Sequence, residues 1–177
     1  MPRPARLPAC VAVTRCATVR TVMAHGVQHG WCFGTSDIST AFLSSSLEEG
    51  LEIWVEFPEG AKHYDESGRE LYAKLKKSLY GLNQAPRNFY YHAAGIFKDI
   101  GFKQSQSDEC LFTYDGPEGQ VILRLYVDDM FYACSNEKTM EWVRKKLSDR
   151  FKITHFDNPG QFVGMDIEWK RNRATLC

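Results

Sequence analysis

Two adjacent aspartates, Asp128 and Asp129, interrupt the mainly apolar stretch that runs from Val121 to Cys134. An unpaired charge buried in such a stretch would be very costly. Because successive side chains of a strand point to opposite faces, neighbouring aspartates line one site only where the chain turns tightly. The flanking runs LRLYV and MFYAC are long enough for two strands. We therefore predict a β-hairpin here, with both carboxylates at its tip.

A pair of neighbouring carboxylates has an electrostatic consequence. Like charges this close raise each other's pKa unless a cation stands between them. Mg²⁺ is commonly held by one or two carboxylates together with substrate phosphates. A third acid, Asp37, follows a predicted strand over 31–36, so three acids at strand ends predict a two-metal site. An Asp-Asp pair in a turn is also ordinary turn chemistry, and this alternative stays open at this point.

Composition limits the other possibilities. The chain has 177 residues, enough for one domain, with 22 Lys and Arg against 22 Asp and Glu. It therefore lacks the basic excess that is typical of nucleic-acid-binding proteins, and any such function must be argued from a site. No apolar run reaches 18 residues, so no membrane span is predicted. The six cysteines form no C-x-x-C pair, which predicts free thiols rather than disulfides or a zinc site.

The first 36 residues contain arginines but no Asp or Glu. An arginine-bearing, acid-free start is typical of a mitochondrial transit peptide, or else of a tail followed by an ordinary helix. Because the opening is rich in proline, an extended tail is the better interpretation. We predict a disordered tail over 1–17 and leave the cellular location open.

The rest of the chain alternates predicted helices and strands. Helices are predicted over 18–28, 40–43 and 86–100, with Gly101 ending the last, and a basic helix is predicted after Ser135. Strands are predicted over 31–36, 51–57, 72–75, 110–114, 120–126 and 130–134. The segment 72–75 is predicted to pair with 51–57.

Several segments resemble one family. The hairpin sequence Tyr126–Asp129 (YVDD) resembles the tyrosine-x-aspartate-aspartate box of reverse transcriptases, and Asp37–Leu43 (DISTAFL) resembles their first catalytic motif. Copia-type retrotransposon reverse transcriptases are the most similar branch. Their further segments occur in order as HGW at 29–31, FPEG at 57–60, LKKSLYGLNQAPR at 75–87, SDECL at 107–111 and FVGMDI at 162–167. The resemblance covers 18–169, and 170–177 is the C-terminal end of the fragment.

The resemblance implies a fold of the α+β class. It is the reverse-transcriptase palm, an antiparallel sheet with a ferredoxin-like core backed by helices. The fingers would be truncated and the thumb absent. Ser39 stands where family members often carry lysine, and 44–46 (SSS) where a turn with Asn, Gly and Asp is common. A working polymerase domain, a catalytically inactive remnant or domesticated interaction module, and an unrelated metal-dependent phosphotransferase or nuclease therefore remain as hypotheses.

The resemblance also implies an activity, RNA-directed DNA synthesis from dNTPs onto a primer 3′-hydroxyl. Two Mg²⁺ ions, or Mn²⁺ in their place, would be held by Asp37 and Asp128, with Asp129 as a third ligand. The implied partners are an RNA or DNA template with its primer, dNTPs, and an RNase H domain and integrase in the full polyprotein, without a membrane.

The implied site extends beyond the aspartates. Nucleotide-binding residues would be Ile38, Ala41, Phe42, Gly81, Gln84 and Pro86, and nucleic-acid contacts would come from Lys76, Lys77, Arg87 and Tyr126. Phe42 would block a ribose 2′-hydroxyl or would simply be a core aromatic. Gly81 and Pro86 could likewise only make a turn and begin a helix. Three other residues are predicted to have structural roles: Trp54 in packing, Arg144 on a solvated helix face and His155 without a ligand role.

Overall fold

The computed structural model describes residues 16–47, 50–157, 160–162, 164–170 and 173–176. Its helices are α1 (Cys16–Gln28), α2 (Ala41–Ser44), α3 (Ala85–Ile100) and α4 (Glu137–Ser148). Its strands are β1 (Cys32–Ile38), β2 (Trp54–Glu56), β3 (Tyr72–Lys74), β4 (Lys103–Gln104), β5 (Leu111–Gly116), β6 (Gly119–Tyr126), β7 (Asp129–Cys134), β8 (Ile153–Asp157), β9 (Gln161–Phe162), β10 (Met165–Lys170) and β11 (Arg173–Leu176). The predicted α+β class is confirmed.

The largest sheet is antiparallel and has six strands in the order β4-β5-β6-β7-β1-β8. Its central hairpin, β6 and β7, is the predicted one. Tyr126 pairs with Asp129, which leaves Val127 and Asp128 as a two-residue turn. Val127 has a φ of 53°, in the left-handed region that such turns use. The prediction that both aspartates lie at the tip is wrong for Asp129, which is the first residue of β7.

Helix α3 follows its sequence signals closely. Pro86 lies in its first turn, where a missing N–H is harmless, and Gly101 ends it with a φ of 109°. The N–H of Gly101 donates to the carbonyls of Phe97 and Lys98. Phe89 and Phe97 are fully buried, so the apolar stripe of α3 packs onto the sheet.

The sheet is covered on both faces. Alternation along β6 sends Leu123 and Leu125 into one core, together with residues of α3 and α4. It sends Ile122 and Tyr126 to a second core, together with residues of α1, β9 and β10. Helix α4 is capped by Asn136, whose side-chain oxygen accepts a hydrogen bond of 3.0 Å from the N–H of Thr139.

Of the other predicted helices and strands, some are confirmed and some differ from the structure. Helix α1 contains the predicted 18–28 helix, and β2 pairs with β3 as expected. Strand β2 is shorter than the predicted 51–57, and Trp54 is 56% exposed, so its predicted packing role is wrong. Strand β1 extends past 36, which places Asp37 inside the strand because its ladder continues on both sides.

The remaining sequence predictions concern thiols, termini and membranes. Cys32, Cys110 and Cys134 are thiols rather than disulfides, as predicted, whereas Cys10, Cys16 and Cys177 fall outside the described side chains. Most of the predicted 1–17 tail and part of 170–177 lie outside the described residues. Within the described ranges, no helix combines the length and apolar character needed to cross a membrane.

Candidate active site

Strands β1 and β7 bring two predicted catalytic residues face to face. Asp37 pairs with Asp129 in the antiparallel register. The N–H of Ile38 donates to the carbonyl of Asp128 at 3.0 Å, which makes that neighbouring pair the hydrogen-bonded one. Asp37 and Asp129 therefore form a non-hydrogen-bonded pair, in which Cα atoms lie about 4.5 Å apart and side chains are closest. The two carboxylates project from the same face of the sheet.

The electrostatics of this pair are unfavourable for two ionised groups. Burial raises the pKa of Asp129, and the negative charges of Asp128 and Asp37 raise it further. Within the described part of the chain, no ion pair joins any of these carboxylates to a Lys, Arg or His. The site therefore concentrates negative charge that no described Lys, Arg or His side chain balances by an ion pair.

The pair opens into a cleft of about 570 Å³. Asp37 and Asp129 line it, and Phe156 of β8 and Phe162 of β9 contribute aromatic surface. Asp128 is not among the lining residues. The volume is in the range of small-molecule sites.

The carboxylates at the cleft can be compared with the ligands that a divalent cation requires. Among the residues with described positions, no three His, Cys, Asp or Glu side chains are close enough to ligate one ion together. Carboxylate oxygens are nevertheless the ligands that Mg²⁺ prefers, and Mg²⁺ often takes one or two from protein and the others from phosphates and water. The Asp37–Asp129 pair fits a shared site of that kind, completed by a ligand, better than a closed protein cage.

The predicted nucleotide-binding residues after Asp37 belong mainly to the core. Ile38, Ala41 and Phe42 are buried, and the ring of Phe42 lies 4.6 Å from that of Tyr80. The N–H groups of Ile38 and Ser39 donate to the carbonyls of Asp128 and Lys152. The structure therefore favours the core-aromatic alternative for Phe42, and the first two amides after Asp37 are engaged within the protein.

The loop before α3 lies apart from the cleft lining. Gly81 has a φ of 95°, which requires glycine, while Gln84 caps α3 and Pro86 lies in its first turn. These positions match the structural alternative of a turn and a helix start. None of them lines the cleft beside the carboxylates.

The predicted nucleic-acid contacts are also dispersed. Lys76 and Lys77 are exposed, and the guanidinium of Arg87 lies 5.6 Å from the ring centre of Tyr91. Tyr126 is the exception, because it is half-buried and pairs directly with Asp129. Of this group, the structure brings Tyr126 next to the carboxylate pair.

A polar network on the opposite face of β1 was missed from sequence. The Ser36 hydroxyl lies 2.6 Å from His155 Nδ1 and 3.0 Å from the Tyr132 hydroxyl. Arg144 Nε donates to the same tyrosine hydroxyl at 3.0 Å, and its Nη2 donates to Asp157 at 2.7 Å. The predicted solvated role of Arg144 is therefore wrong, and His155 has partners that its local sequence does not indicate.

With this geometry established, comparison with known proteins identifies the family. A family model described as reverse transcriptase (RNA-dependent DNA polymerase) matches residues 7–177. The chain therefore belongs to the reverse transcriptase family, and the predicted resemblance to the copia-type branch is confirmed. The matched range is wider at both ends than the 18–169 predicted from motifs.

Curated relatives include two plant transposon proteins. The chain is 32% identical over 93% of its length to the retrovirus-related Pol polyprotein from transposon TNT 1-94 of Nicotiana tabacum, covering 12% of that protein. It is 29% identical over 88% of its length to the corresponding polyprotein from transposon RE1 of Arabidopsis thaliana, covering 10% of it. The chain thus spans about a tenth of these relatives.

A solved structure supports the fold. An apo telomerase from Candida tropicalis, truncated from the C-terminal domain, matches with a TM-score of 0.50 and 13% sequence identity. The match covers 93% of this chain and 40% of the telomerase. At this identity the likeness concerns the fold alone, which is of the reverse-transcriptase type.

Proposed function

We propose that this chain is the part of a reverse transcriptase that carries the catalytic carboxylates for RNA-directed DNA synthesis. The reaction joins a dNTP to a primer 3′-hydroxyl. The observation that carries the proposal is the close pairing of Asp37 with Asp129, which line a cleft beside the turn that holds Asp128. Membership of the family supports it.

In this proposal Asp37, Asp128 and Asp129 hold two divalent ions, Mg²⁺ or Mn²⁺ in its place. When bound there, such ions would supply Lewis-acid chemistry, by lowering the pKa of the 3′-hydroxyl and neutralising charge on the triphosphate. The protein fixes the two facing carboxylates on adjacent strands, so their separation is set by the sheet register. A cation bound nearby would lower the pKa of Asp129, which is raised in its absence.

The proposal extends to the palm and its partners. Residues 18–169 would form a palm whose helices α3 and α4 back one face of the sheet, while the carboxylates project from the other. Template and primer would contact Lys76, Lys77, Arg87 and Tyr126. The incoming dNTP would lie near 38–42 and the loop at 81–86. An RNase H domain and an integrase would be present in the full polyprotein.

The test is Mg²⁺-dependent dTTP incorporation on poly(rA)/oligo(dT). Wild type is compared with the variants Asp37→Asn and Asp128→Asn, and with Asp99→Asn as a matched control on the exposed surface of α3. We expect incorporation by wild type and by the control, and its loss in both site variants.

Other outcomes identify the competing hypotheses. No incorporation by folded wild-type protein contradicts catalysis by this chain and favours the inactive remnant or interaction module. Nucleotide turnover that needs neither template nor primer favours an unrelated phosphotransferase. Equal activity in wild type and Asp37→Asn contradicts the assigned site.

A further inference from the structure

A buried ion pair lies outside the carboxylate site, within the motif SDECL and strand β6. Arg124 Nη1 donates to Asp108 Oδ2 at 2.5 Å. The Arg124 side chain is 1% exposed and that of Asp108 is 14% exposed. Removing one partner of such a pair leaves an uncompensated buried charge, which is strongly destabilising.

Asp108 joins three segments through its two carboxylate oxygens. Oδ2 also accepts a hydrogen bond of 2.7 Å from the Thr18 hydroxyl of α1. Oδ1 accepts one of 3.0 Å from the N–H of Cys110, just before β5. Burial acts to raise the pKa of Asp108, but the bonds from Arg124 and Thr18 outweigh it and the pKa lies below its ordinary value. The carboxylate is therefore ionised and fixed.

Arg124 lies in the row of paired residues next to the row that contains Asp37 and Asp129. Arg124 pairs with Phe131, and Phe131 pairs with Thr35. Two residues further along each strand, Tyr126 pairs with Asp129 and Asp129 with Asp37. Because residues two apart on a strand share a face, both rows project from the same face of the sheet. The side chain of Arg124 thus anchors the strand that enters the catalytic turn.

Stability alone is a weak explanation for this pair. Nε and Nη2 of Arg124 are buried and have no hydrogen-bond partner among the described residues. Replacing a buried ion pair by apolar groups of similar volume is often neutral or stabilising. A methionine, which keeps most of the arginine's volume, has neither of these unpaired nitrogens, so a role in fixing geometry explains the arginine better.

We propose that Asp108 and Arg124 are positioning residues, which hold strand β6 so that the turn presents Asp129 opposite Asp37. The consequence for catalysis rests on the proposed function, whereas the consequence for the turn does not. A backbone bond from the N–H of Leu125 to the carbonyl of Cys110, 2.9 Å, links the same loop to β6. Movement of the Asp108 loop would therefore be transmitted to the catalytic turn.

The experiment compares wild type with the double variant Asp108→Asn/Arg124→Met. The asparagine keeps a side-chain oxygen for the Cys110 N–H, and the methionine keeps most of the arginine's volume. The matched control is Asp65→Asn/Arg69→Met, which removes the exposed ion pair between those residues. The readouts are the melting temperature, amide hydrogen exchange in residues 125–131 and in α3, and steady-state dTTP incorporation.

We expect the double variant to melt within about 5 °C of wild type, because both buried charges are removed together. Exchange in 125–131 should accelerate roughly tenfold while exchange in α3 is unchanged. The kcat for dTTP should fall at least about tenfold with little change in KM, because a misplaced carboxylate slows the chemical step. The control should match wild type in every readout.

Unchanged exchange in 125–131 would overturn the proposal and leave the pair with a purely structural role. Faster exchange in an inactive wild-type background would support positioning while contradicting the proposed polymerase activity. If the double variant does not fold, Arg124→Lys carries the test, because lysine keeps the charge with fewer donors. Faster exchange in 125–131 of Arg124→Lys, with exchange in α3 unchanged, supports the proposal, and exchange in 125–131 equal to that of wild type contradicts it.

Discussion

Two charged pairs lie at one face of the same sheet and have opposite electrostatics. Within the sheet, Arg124 and the Asp37–Asp129 pair occupy neighbouring rows. Asp37 and Asp129 are like charges that open onto a cleft. Asp108 and Arg124 carry opposite charges and are largely buried. The hydroxyl of Thr18 in α1 donates a hydrogen bond to the Asp108 carboxylate. The pKa of Asp129 is raised, whereas that of Asp108 is lowered.

This difference in charge indicates different roles: the like-charged pair is suited to binding a ligand, and the oppositely charged pair to holding the protein's structure. A carboxylate pair without a protein cation destabilises the fold and is suited to a cation that arrives with a ligand. A compensated pair holds its surroundings in one geometry. The changes below act on one pair or the other and are ordered from the largest expected effect to the smallest.

The largest effect is expected from Asp129→Asn. Loss of one ionised ligand at the proposed metal site should lower dTTP incorporation by about a thousandfold, equivalent to roughly 4 kcal/mol in the barrier. Melting temperature is measured in parallel, and it should not fall, because a destabilising like charge has been removed. An active Asp129→Asn protein would show that the facing pair is not catalytic.

At the Asp108–Arg124 pair, we expect a substitution to lower the free energy of unfolding. Thr18→Val removes one donor to Asp108 and keeps the shape of the side chain, so it should destabilise the protein by about 1–2 kcal/mol. Urea unfolding measures this, with Thr21→Val as a matched control on the exposed side of α1. Equal unfolding midpoints in the two variants would show that the Thr18–Asp108 bond is not significant.

The two carboxylates should have opposite pH dependence. Like charges directly opposite each other on a sheet destabilise by roughly 0.5 kcal/mol, so Asp129→Asn should stabilise the protein slightly at pH 7. A raised pKa means that this penalty disappears as the pH falls towards the ordinary value of 3.8. The lowered pKa of Asp108 means that its contribution persists down to 3.8 and is lost below it.

Unfolding free energies between pH 7 and pH 3 check these signs. The difference between wild type and Asp129→Asn should shrink on acidification. The difference between wild type and Asp108→Asn should stay constant until below pH 4. The same pH dependence in both variants would contradict the opposite pKa shifts of Asp129 and Asp108.

The smallest effect is expected on the other face of β1. Burial, and then the positive charge of Arg144, lower the pKa of His155 below its ordinary value of 6.5. The folded state therefore binds fewer protons, and stability should fall as the pH drops below 6.5. His155→Gln should lose this acid-side slope in urea unfolding measured from pH 7.5 to pH 5. An unchanged slope would assign the titration to another group.

Local signals predicted the elements but not their register. Gly101 and Pro86 mark the ends of α3, and the apolar runs around Asp128 mark the hairpin, because each signal acts within a few residues. The pairing of Asp37 with Asp129 depends on strands more than ninety residues apart, so sequence grouped the acids but favoured Asp128 over Asp129.

Hydrogen-bond partners that are far apart in the chain could not be predicted from the sequence either. Asp108 with Arg124 and Ser36 with His155 are joined by side chains whose meeting depends on the assembled sheet. Phe42 shows a different difficulty, because an aromatic five residues after Asp37 fits a core position and a nucleotide site equally well in sequence. Phe42 is buried beside Tyr80, as a core position requires, and its contact with a nucleotide stays a prediction.

The central claim is that the facing pair holds a divalent cation, and a Mg²⁺ titration of the melting temperature tests it most directly. A ligand that binds only the folded state raises stability as its concentration rises. Wild type should show a progressive rise in melting temperature that is absent from Asp37→Asn/Asp129→Asn. The same rise in both proteins, or none in wild type, would contradict the claim.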